Sequence, residues 1–183
     1  MSLLALRFAR SIAVSKRRSP VGIWDRSDLP MRVRLGDIDL LGHMNNSAYL
    51  VAFDLARFDL IHRSGFWPKI RAQKIYAVVA AQTITYRKSL KWRQRYTVET
   101  RIAGVDDRST YFQHRVVVGG EIYAEGVVRQ RFLGPQGPVP TADMLKLCDP
   151  LPADRVIAPW MEQWATNTLL PSTRKPAPST WPQ

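Results

Sequence analysis

Residues 36–63 read GDIDLLGHMNNSAYLVAFDLARFDLIHR, and this stretch decides the fold. Its first part is polar and turn-forming, whereas residues 47–63 contain neither glycine nor proline and carry apolar side chains around most of a helix circumference. Asn45 or Asn46 can cap the first turn, and Gly65 can take the left-handed position that ends the helix. The pattern predicts a buried helix of about 18 residues, roughly 27 Å long.

The sequence after this helix changes to the two-residue period that is typical of strands. Gly119 and Gly120 can both adopt positive φ, which favours a tight hairpin. The pattern predicts an α+β fold in which an antiparallel meander of four strands curves around one long central helix. Because one sheet leaves part of that helix uncovered, a two-fold dimer is also predicted. Strand candidates are 31–35, 74–89, 95–105, 111–118 and 121–133, and a short helix is expected near 159–168.

Composition limits the classes of partner and of site. The chain of 183 residues has room for one core. Its 27 basic and 15 acidic residues give a net charge of +12, which favours phosphate-bearing molecules, acidic lipid or nucleic acid as partners. The single cysteine, Cys148, excludes an intramolecular disulfide framework and indicates a reducing compartment. With three scattered histidines it leaves no zinc cluster, so no metal site is predicted.

The two ends of the chain differ in composition from its middle. Residues 1–24 carry five basic side chains and no acid, and Arg7 and Arg10 interrupt an apolar run that is too short for a spanning helix. We expect a poorly ordered basic leader at 1–24, one domain with a C-terminal helix at 25–170 and a Pro/Ser/Thr-rich tail at 171–183. A cytoplasmic location is predicted. The alternatives are a mitochondrial presequence or peripheral membrane contact through the leader.

The polar cluster before the long helix can support acyl chemistry. Asp37, Asp39 and His43 precede a helix N-terminus, whose free N–H groups can stabilise an oxyanion on a carbonyl substrate. Asp39 can attack that carbonyl or activate water, and His43 can act as a base or a hydrogen-bond donor. The structural alternatives are a turn-closing role for Asp37 and capping by Asn45 or Asn46.

The segment GDIDLLGHMNNSAYLVAFDLAR resembles the signature of hotdog-fold thioesterases. It is similar to the 4-hydroxybenzoyl-CoA thioesterase-like superfamily and its branch related to thioesterase superfamily member 6. The resemblance covers roughly residues 29–133, and the order of long helix and strands agrees with it independently. It implies a hotdog fold, a homodimer or tetramer, and hydrolysis of acyl-CoA or acyl-carrier-protein thioesters. No cofactor is implied, since CoA is part of the substrate.

The resemblance also implies residue roles. Asp39 falls at the catalytic carboxylate, Asn46 at the position whose backbone N–H polarises the thioester carbonyl, and Tyr49 at the aromatic residue of the first helical turn. This chain has His-Met-Asn after the glycine where many members have Ile-Val-Tyr, a form that resembles plant acyl-ACP thioesterases. His43 and Asn45 are therefore further catalytic candidates.

A basic loop can contact the phosphates of CoA. Residues 87–95 carry five positive charges, and the aromatic ring between them can stack on adenine. The alternative is a solubilising loop that protects a sheet edge. The substrate-binding candidates are Arg87, Lys88, Trp92 and Arg93, with Arg108 and Ser109 at the next turn.

Three other functions fit parts of the sequence. Hydration of an enoyl thioester would use Asp39 and His43 as an acid/base pair, but Leu40 and Leu41 stand where the hydratase motif has Asn-Pro. A non-catalytic acyl-binding or lipid-binding protein fits the helix-capping interpretation of the motif. Nucleic-acid binding is suggested by charge alone, and no recognition helix, zinc finger or ribonucleoprotein pattern supports it, so no nucleic-acid partner is predicted.

Overall fold

The computed structural model describes residues 3–172 and 175–179, and within them one antiparallel sheet of six strands curves around one helix. The helices are α1 (Leu3–Ser15), α2 (Asn46–Arg63), α3 (Phe66–Ala72), α4 (Thr141–Leu145) and α5 (Pro159–Asn167). The strands are β1 (Ser27–Arg32), β2 (Tyr76–Tyr86), β3 (Arg95–Val105), β4 (Thr110–Val118), β5 (Glu121–Gly134) and β6 (Gly137–Val139).

The strand order is β1-β3-β4-β5-β2, with β6 paired to β5. The predicted meander is therefore correct for β3, β4 and β5 and wrong for β2, which lies beyond β5. The reason is that β1 occupies the outer edge of β3, where Leu29 pairs with Val98, so β2 takes the free edge of β5. Gly119 and Gly120 have φ of 58° and 84°, which confirms the predicted hairpin between β4 and β5.

Helix α2 is the central helix that the sequence predicts. Asn45 caps it, because its Oδ1 accepts a hydrogen bond from the backbone N–H of Ser47 at 2.8 Å. Gly65 ends it with φ of 70°. Phe53 and Leu60 are fully buried within it, as expected for a helix that is covered on most sides.

The sheet approaches α2 closely at Gly126 of β5. A Cβ atom at this position would lie 2.6 Å from Phe53 Cε2 and 2.7 Å from the carbonyl oxygen of Thr83. Glycine therefore permits the contact between helix and sheet. The predicted α+β arrangement, a curved antiparallel sheet around one long central helix, is confirmed.

The amino-terminal segment differs from the poorly ordered leader that the sequence suggests. Residues 3–15 form α1, which packs on α2 through an edge-to-face contact of Phe8 with Phe58, with ring centroids 5.3 Å apart. Ser15 Oγ donates a hydrogen bond to the buried Asp59 at 2.6 Å. Both partners lie on α2, more than 40 residues away along the chain, so local composition did not reveal them.

Helix α5 covers part of the outer face of the sheet. Arg129 of β5 donates a hydrogen bond to the carbonyl oxygen of Ala165 near the end of this helix. Residues 171–172 and 175–179 lie outside any helix or strand, and residues 1–2, 173–174 and 180–183 of the leader and tail lie outside the described residues. None of the described helices is both long and apolar enough to cross a bilayer. The second, smaller core under α5 consists of Tyr111, Val127, Ile157, Met161 and Ala165.

Candidate active site

Asp39 begins a tight turn that holds its own carboxylate. Its Oδ1 accepts hydrogen bonds from the backbone N–H groups of Leu41 at 2.9 Å and His43 at 3.2 Å. The backbone N–H of Asp39 in turn donates to the carbonyl oxygen of His43 at 2.9 Å, and Gly42 adopts φ of 77°. Oδ2 has no hydrogen-bond partner within the described residues. The half-buried carboxylate is thus fixed by one oxygen and available through the other.

The start of α2 offers an unpaired donor. Asn45 uses its Oδ1 for the cap, and its carbonyl oxygen accepts from the N–H of Ala48 at 2.9 Å. The backbone N–H of Asn46, the first helical residue, has no acceptor in the part of the chain that the structure describes. Because an 18-residue helix concentrates partial positive charge at this end, the free N–H suits a developing oxyanion. Asn45 is the cap of α2, and the backbone N–H of Asn46 is the candidate donor.

Backbone hydrogen bonds join this loop to its neighbours. The N–H of Asn45 donates to the carbonyl oxygen of Asp37 at 2.7 Å, and the N–H of Met44 donates to that of Leu90 at 2.8 Å. His43 forms an isolated β-bridge with Lys91, which brings the basic loop between β2 and β3 beside the Asp39 turn. The structure therefore brings together two regions that the sequence singles out separately.

Tyr49 lies behind the site rather than on its surface. Its side chain is 2% exposed, and its hydroxyl oxygen accepts a hydrogen bond from the backbone N–H of Leu90 at 3.2 Å. Burial raises the pKa of Tyr49, which keeps the phenol neutral. Its ring meets Tyr86 of β2 edge-on at 5.2 Å. Within one protomer Tyr49 supports the basic loop.

Asp37 is a buried anchor of the loop. It is 2% exposed; its Oδ1 accepts from Arg7 Nη1 of α1 at 2.6 Å and its Oδ2 accepts from the backbone N–H of Arg34 at 2.9 Å. This agrees with the turn-closing alternative for Asp37. Arg7 is a contributor to the site that sequence reasoning missed, because nothing local links it to residue 37.

The basic loop divides into paired and free side chains. Arg87 Nη1 and Lys88 Nζ contact the two carboxylate oxygens of Glu121 at 2.6 and 2.7 Å, and hydrogen bonds from Lys88 and Arg87 lower the pKa of Glu121. These two cations fit the edge-protecting interpretation. Trp92 is 55% exposed, and the Arg93 guanidinium lies 5.2 Å from the centroid of its ring. Trp92 and Arg93 are the candidates available to a ligand.

Arg108 and Ser109 lie far from Asp39. They follow β3, whereas the basic loop beside Asp39 precedes this strand, and eleven strand residues span about 35 Å. Ser109 is also 2% exposed. The structure therefore does not bring these two candidates to the Asp39 turn within one protomer.

Neither Asp39 nor Asn46 lines any of three cavities among the described residues, of which one lies beside Cys148, one between α1 and β1, and one over β3 and β4. An apolar cavity beside Cys148 has a volume of about 20 Å³, which is too small for an acyl chain, and burial raises the pKa of this thiol to about 11. Among the residues described, no three His, Cys, Asp or Glu side chains cluster as metal ligands.

Comparison with known proteins defines the class. A family model described as the thioesterase-like superfamily matches residues 33–158, and the chain belongs to this superfamily. Among its curated relatives, protein THEM6 from Danio rerio is 39% identical over 97 residues, which are 53% of this chain and 48% of that protein. The chain spans about half the length of the curated relatives it matches.

Solved structures agree on the fold. A hypothetical protein, TT1821 from Thermus thermophilus, is 26% identical with a TM-score of 0.60, over 67% of this chain and 95% of that one. The BH1999 gentisyl-coenzyme A thioesterase is 20% identical with a TM-score of 0.60, over 66% of this chain and 99% of that one. These likenesses confirm the hotdog fold.

Proposed function

We propose that this protein hydrolyses acyl thioesters, with acyl-CoA or an acyl-carrier protein as the substrate, and that it works as a homodimer. Membership of the thioesterase-like superfamily supports the reaction class. The observation that carries the proposal is the pairing of two groups at one helix start. Within the described residues, Asp39 Oδ2 accepts no hydrogen bond and the backbone N–H of Asn46 has no acceptor.

The proposed reaction uses these two groups in sequence. The thioester carbonyl oxygen accepts a hydrogen bond from the Asn46 N–H, which stabilises the negative charge that develops during attack. Asp39 Oδ2 takes a proton from water, whose oxygen adds to the carbonyl carbon. The tetrahedral intermediate then expels the thiolate, which recovers the proton, so that a carboxylic acid and a thiol leave. In the alternative route Asp39 Oδ2 attacks the carbonyl carbon and the C–S bond breaks, which releases the thiolate and leaves a mixed anhydride; water then hydrolyses the anhydride to the carboxylic acid and the Asp39 carboxylate, and the proton that water loses is taken up by the thiolate.

The neighbouring residues have supporting roles in this proposal. The backbone N–H of His43 orients Asp39, and in this proposal the His43 side chain is a further candidate for hydrogen bonding to the substrate. Asn45 holds the helix start in place through its cap. Trp92 and Arg93 would contact the adenine and phosphates of CoA, because both remain accessible next to the turn.

The dimer in this proposal rests on strand β2. It has no strand partner on its outer side within the described residues, and its eleven residues carry no charge. Tyr76 and Val79 are 54% and 45% exposed. The opposite edge, β1, is short and contains Pro30 and charged residues, which discourages pairing. A second copy paired along β2 would cover this apolar edge, and it would also cover the open surface near Tyr86 and the helix start.

The test is thiol release from short, long and aromatic acyl-CoA substrates by the purified protein. Asp39→Asn should reduce kcat on the best substrate by at least about 100-fold and leave the thermal unfolding midpoint close to that of the parent. Asp143→Asn, a control at an exposed acid whose ion-pair partner is Lys146, should keep full activity. Equal turnover by a folded Asp39→Asn protein would show that the mechanism is wrong.

A second function is favoured by one specific observation. Asp39 Oδ1 and Asn45 Oδ1 both accept hydrogen bonds from nearby backbone N–H groups. The formation of a turn and of a helix cap is therefore enough to explain why these residues are present, without any catalytic role. A non-catalytic acyl-binding protein would bind acyl-CoA in calorimetry and release no thiol in any of the substrate series. Loss of the conjugated double bond of crotonyl-CoA would instead indicate a hydratase.

A further inference from the structure

A cleft of about 430 Å³ lies between α1 and strand β1, and neither Asp39 nor Asn46 lines it. Its volume lies within the range of about 300–1,000 Å³ that is typical of small-molecule sites. Part of its lining is apolar, contributed by Val14, Leu29, Met31 and Leu55. The cleft therefore offers a surface on which an alkyl chain can be removed from water.

The rest of the lining is strongly basic. Five arginines line the cleft and no acidic residue does. Arg7 is paired with Asp37, but none of the other four has a carboxylate within ion-pair distance among the described residues. Four uncompensated guanidinium groups around one cleft produce a positive potential that attracts anions. The five are Arg7, Arg10, Arg32, Arg34 and Arg95.

Two of these arginines are placed directly against each other. Arg32 of β1 and Arg95 of β3 are register partners in the antiparallel ladder. Like charges at directly opposite positions destabilise a sheet. Arg32 Nε donates a hydrogen bond to the carbonyl oxygen of Arg93 at 2.9 Å, and no carboxylate of the described residues pairs with its positive charge. An anion bound against both guanidinium groups would reduce this repulsion.

We infer that the cleft binds a phosphate ester that carries an apolar chain. Arginine matches phosphate geometry with paired N–H donors, and the apolar lining suits the chain. Such a ligand has two sources, a lipid headgroup in a membrane or a soluble organic phosphate, and both share this chemistry. The inference is independent of thioester hydrolysis, since neither Asp39 nor Asn46 lines the cleft.

Calorimetric titration with monomeric dodecyl phosphate at fixed physiological salt tests the site. We expect saturable binding of one molecule per chain, at least about tenfold tighter than inorganic phosphate or the uncharged dodecyl maltoside. The double variant Arg10→Ser/Arg95→Ser should weaken binding at least about tenfold. The control Arg17→Ser/Arg71→Ser removes the same charge from two exposed arginines outside the cleft and should change the affinity less than about twofold.

Flotation with phosphatidylcholine vesicles, with and without phosphatidic acid, separates the two sources. Flotation that requires phosphatidic acid and is lost in Arg10→Ser/Arg95→Ser identifies a membrane lipid as the ligand. Absence of flotation alongside dodecyl phosphate binding identifies a soluble phosphate ester. The inference is overturned if dodecyl phosphate shows no saturable binding, or if the two double variants lose affinity equally. Asp39→Asn should bind dodecyl phosphate like the parent, which keeps this result separate from the outcome of the hydrolysis assay.

Discussion

Arg7 of α1 and Asp37 of the site loop form an ion pair 2.6 Å long, with side chains only 13% and 2% exposed. Asp37 lies two residues before Asp39, and its carbonyl oxygen holds the N–H of Asn45. The amino-terminal helix is therefore attached directly to the turn that presents the candidate catalytic carboxylate. This contact links α1, a helix that the sequence did not predict, to the polar segment 36–46 that holds the candidate catalytic residues.

Replacing Arg7 by glutamine should destabilise the fold by about 3 kcal/mol, because it leaves the buried Asp37 carboxylate without its counterion. Urea unfolding followed by circular dichroism measures this change. Arg17→Gln, an exposed arginine of the same segment, should change the free energy of unfolding by less than about 0.5 kcal/mol. Equal stability of Arg7→Gln and the parent would show that α1 does not hold the loop in solution.

A second prediction concerns the buried imidazole of His114. Burial and the positive charge of Arg57 hold the pKa of His114 well below its ordinary value. The folded protein keeps this ring neutral, with Nδ1 2.9 Å from Thr100 Oγ1, whereas the unfolded chain binds a proton below about pH 6.5. The free energy of unfolding should therefore fall as the pH drops from about 6.5, by up to about 1.4 kcal/mol per pH unit from this group.

Urea unfolding measures this dependence for the parent and for His114→Gln. The pH values are 7.5, 6.5 and 5.5, about one unit apart across the range in which the unfolded imidazole titrates. The variant should be less stable at every pH, because it disturbs the stacking on Phe53, but its stability should depend less steeply on pH. Identical slopes for the two proteins would contradict the assignment.

Local chemistry determined what the sequence could predict. Helix α2 begins where the side-chain oxygen of Asn45 caps it and ends where Gly65 adopts a positive φ. Both effects act within a few residues, and the sequence therefore predicts both ends. The Gly119-Gly120 hairpin is equally local. The hydrogen bonds that Asp39 accepts from Leu41 and His43 are also short-range.

The features that the sequence could not predict depend on contacts between residues that are distant in sequence. The position of β2 depends on whether β1 or β2 pairs with the edge of β3. The residues of β2 themselves do not indicate which of the two strands pairs there. The packing of the amino-terminal segment depends on Asp59. Its fully buried carboxylate accepts hydrogen bonds from Ser15, Arg18 and other donors. Arg108 lies beyond the far end of β3 from the basic loop, and this separation depends on the length and direction of the strand rather than on the residues around Arg108.

A third prediction tests the closeness of helix and sheet. Gly126→Ala should destabilise the protein by about 2 kcal/mol, because the new methyl group would overlap the Phe53 ring and the carbonyl oxygen of Thr83. Gly36→Ala, where the methyl group meets open space, is the control and should be nearly neutral. In the Gly126→Ala background, Phe53→Leu should cost less than it does alone, because it relieves the overlap. Additive effects of the two substitutions in urea unfolding would contradict the proposed contact.

A fourth prediction concerns the uncharged edge strand β2 and the assembly. Sedimentation should give the parent twice the chain mass of 20.9 kDa, and Val79→Lys should shift it towards one chain mass, because it places a charge on an apolar edge. Pro30→Lys on the opposite edge should leave the mass of the parent unchanged. Because the proposed second subunit would cover the open surface near the start of α2, Val79→Lys should also lose thiol release in proportion to dissociation. A fully active monomeric Val79→Lys protein would show that the second subunit is not needed to complete the site.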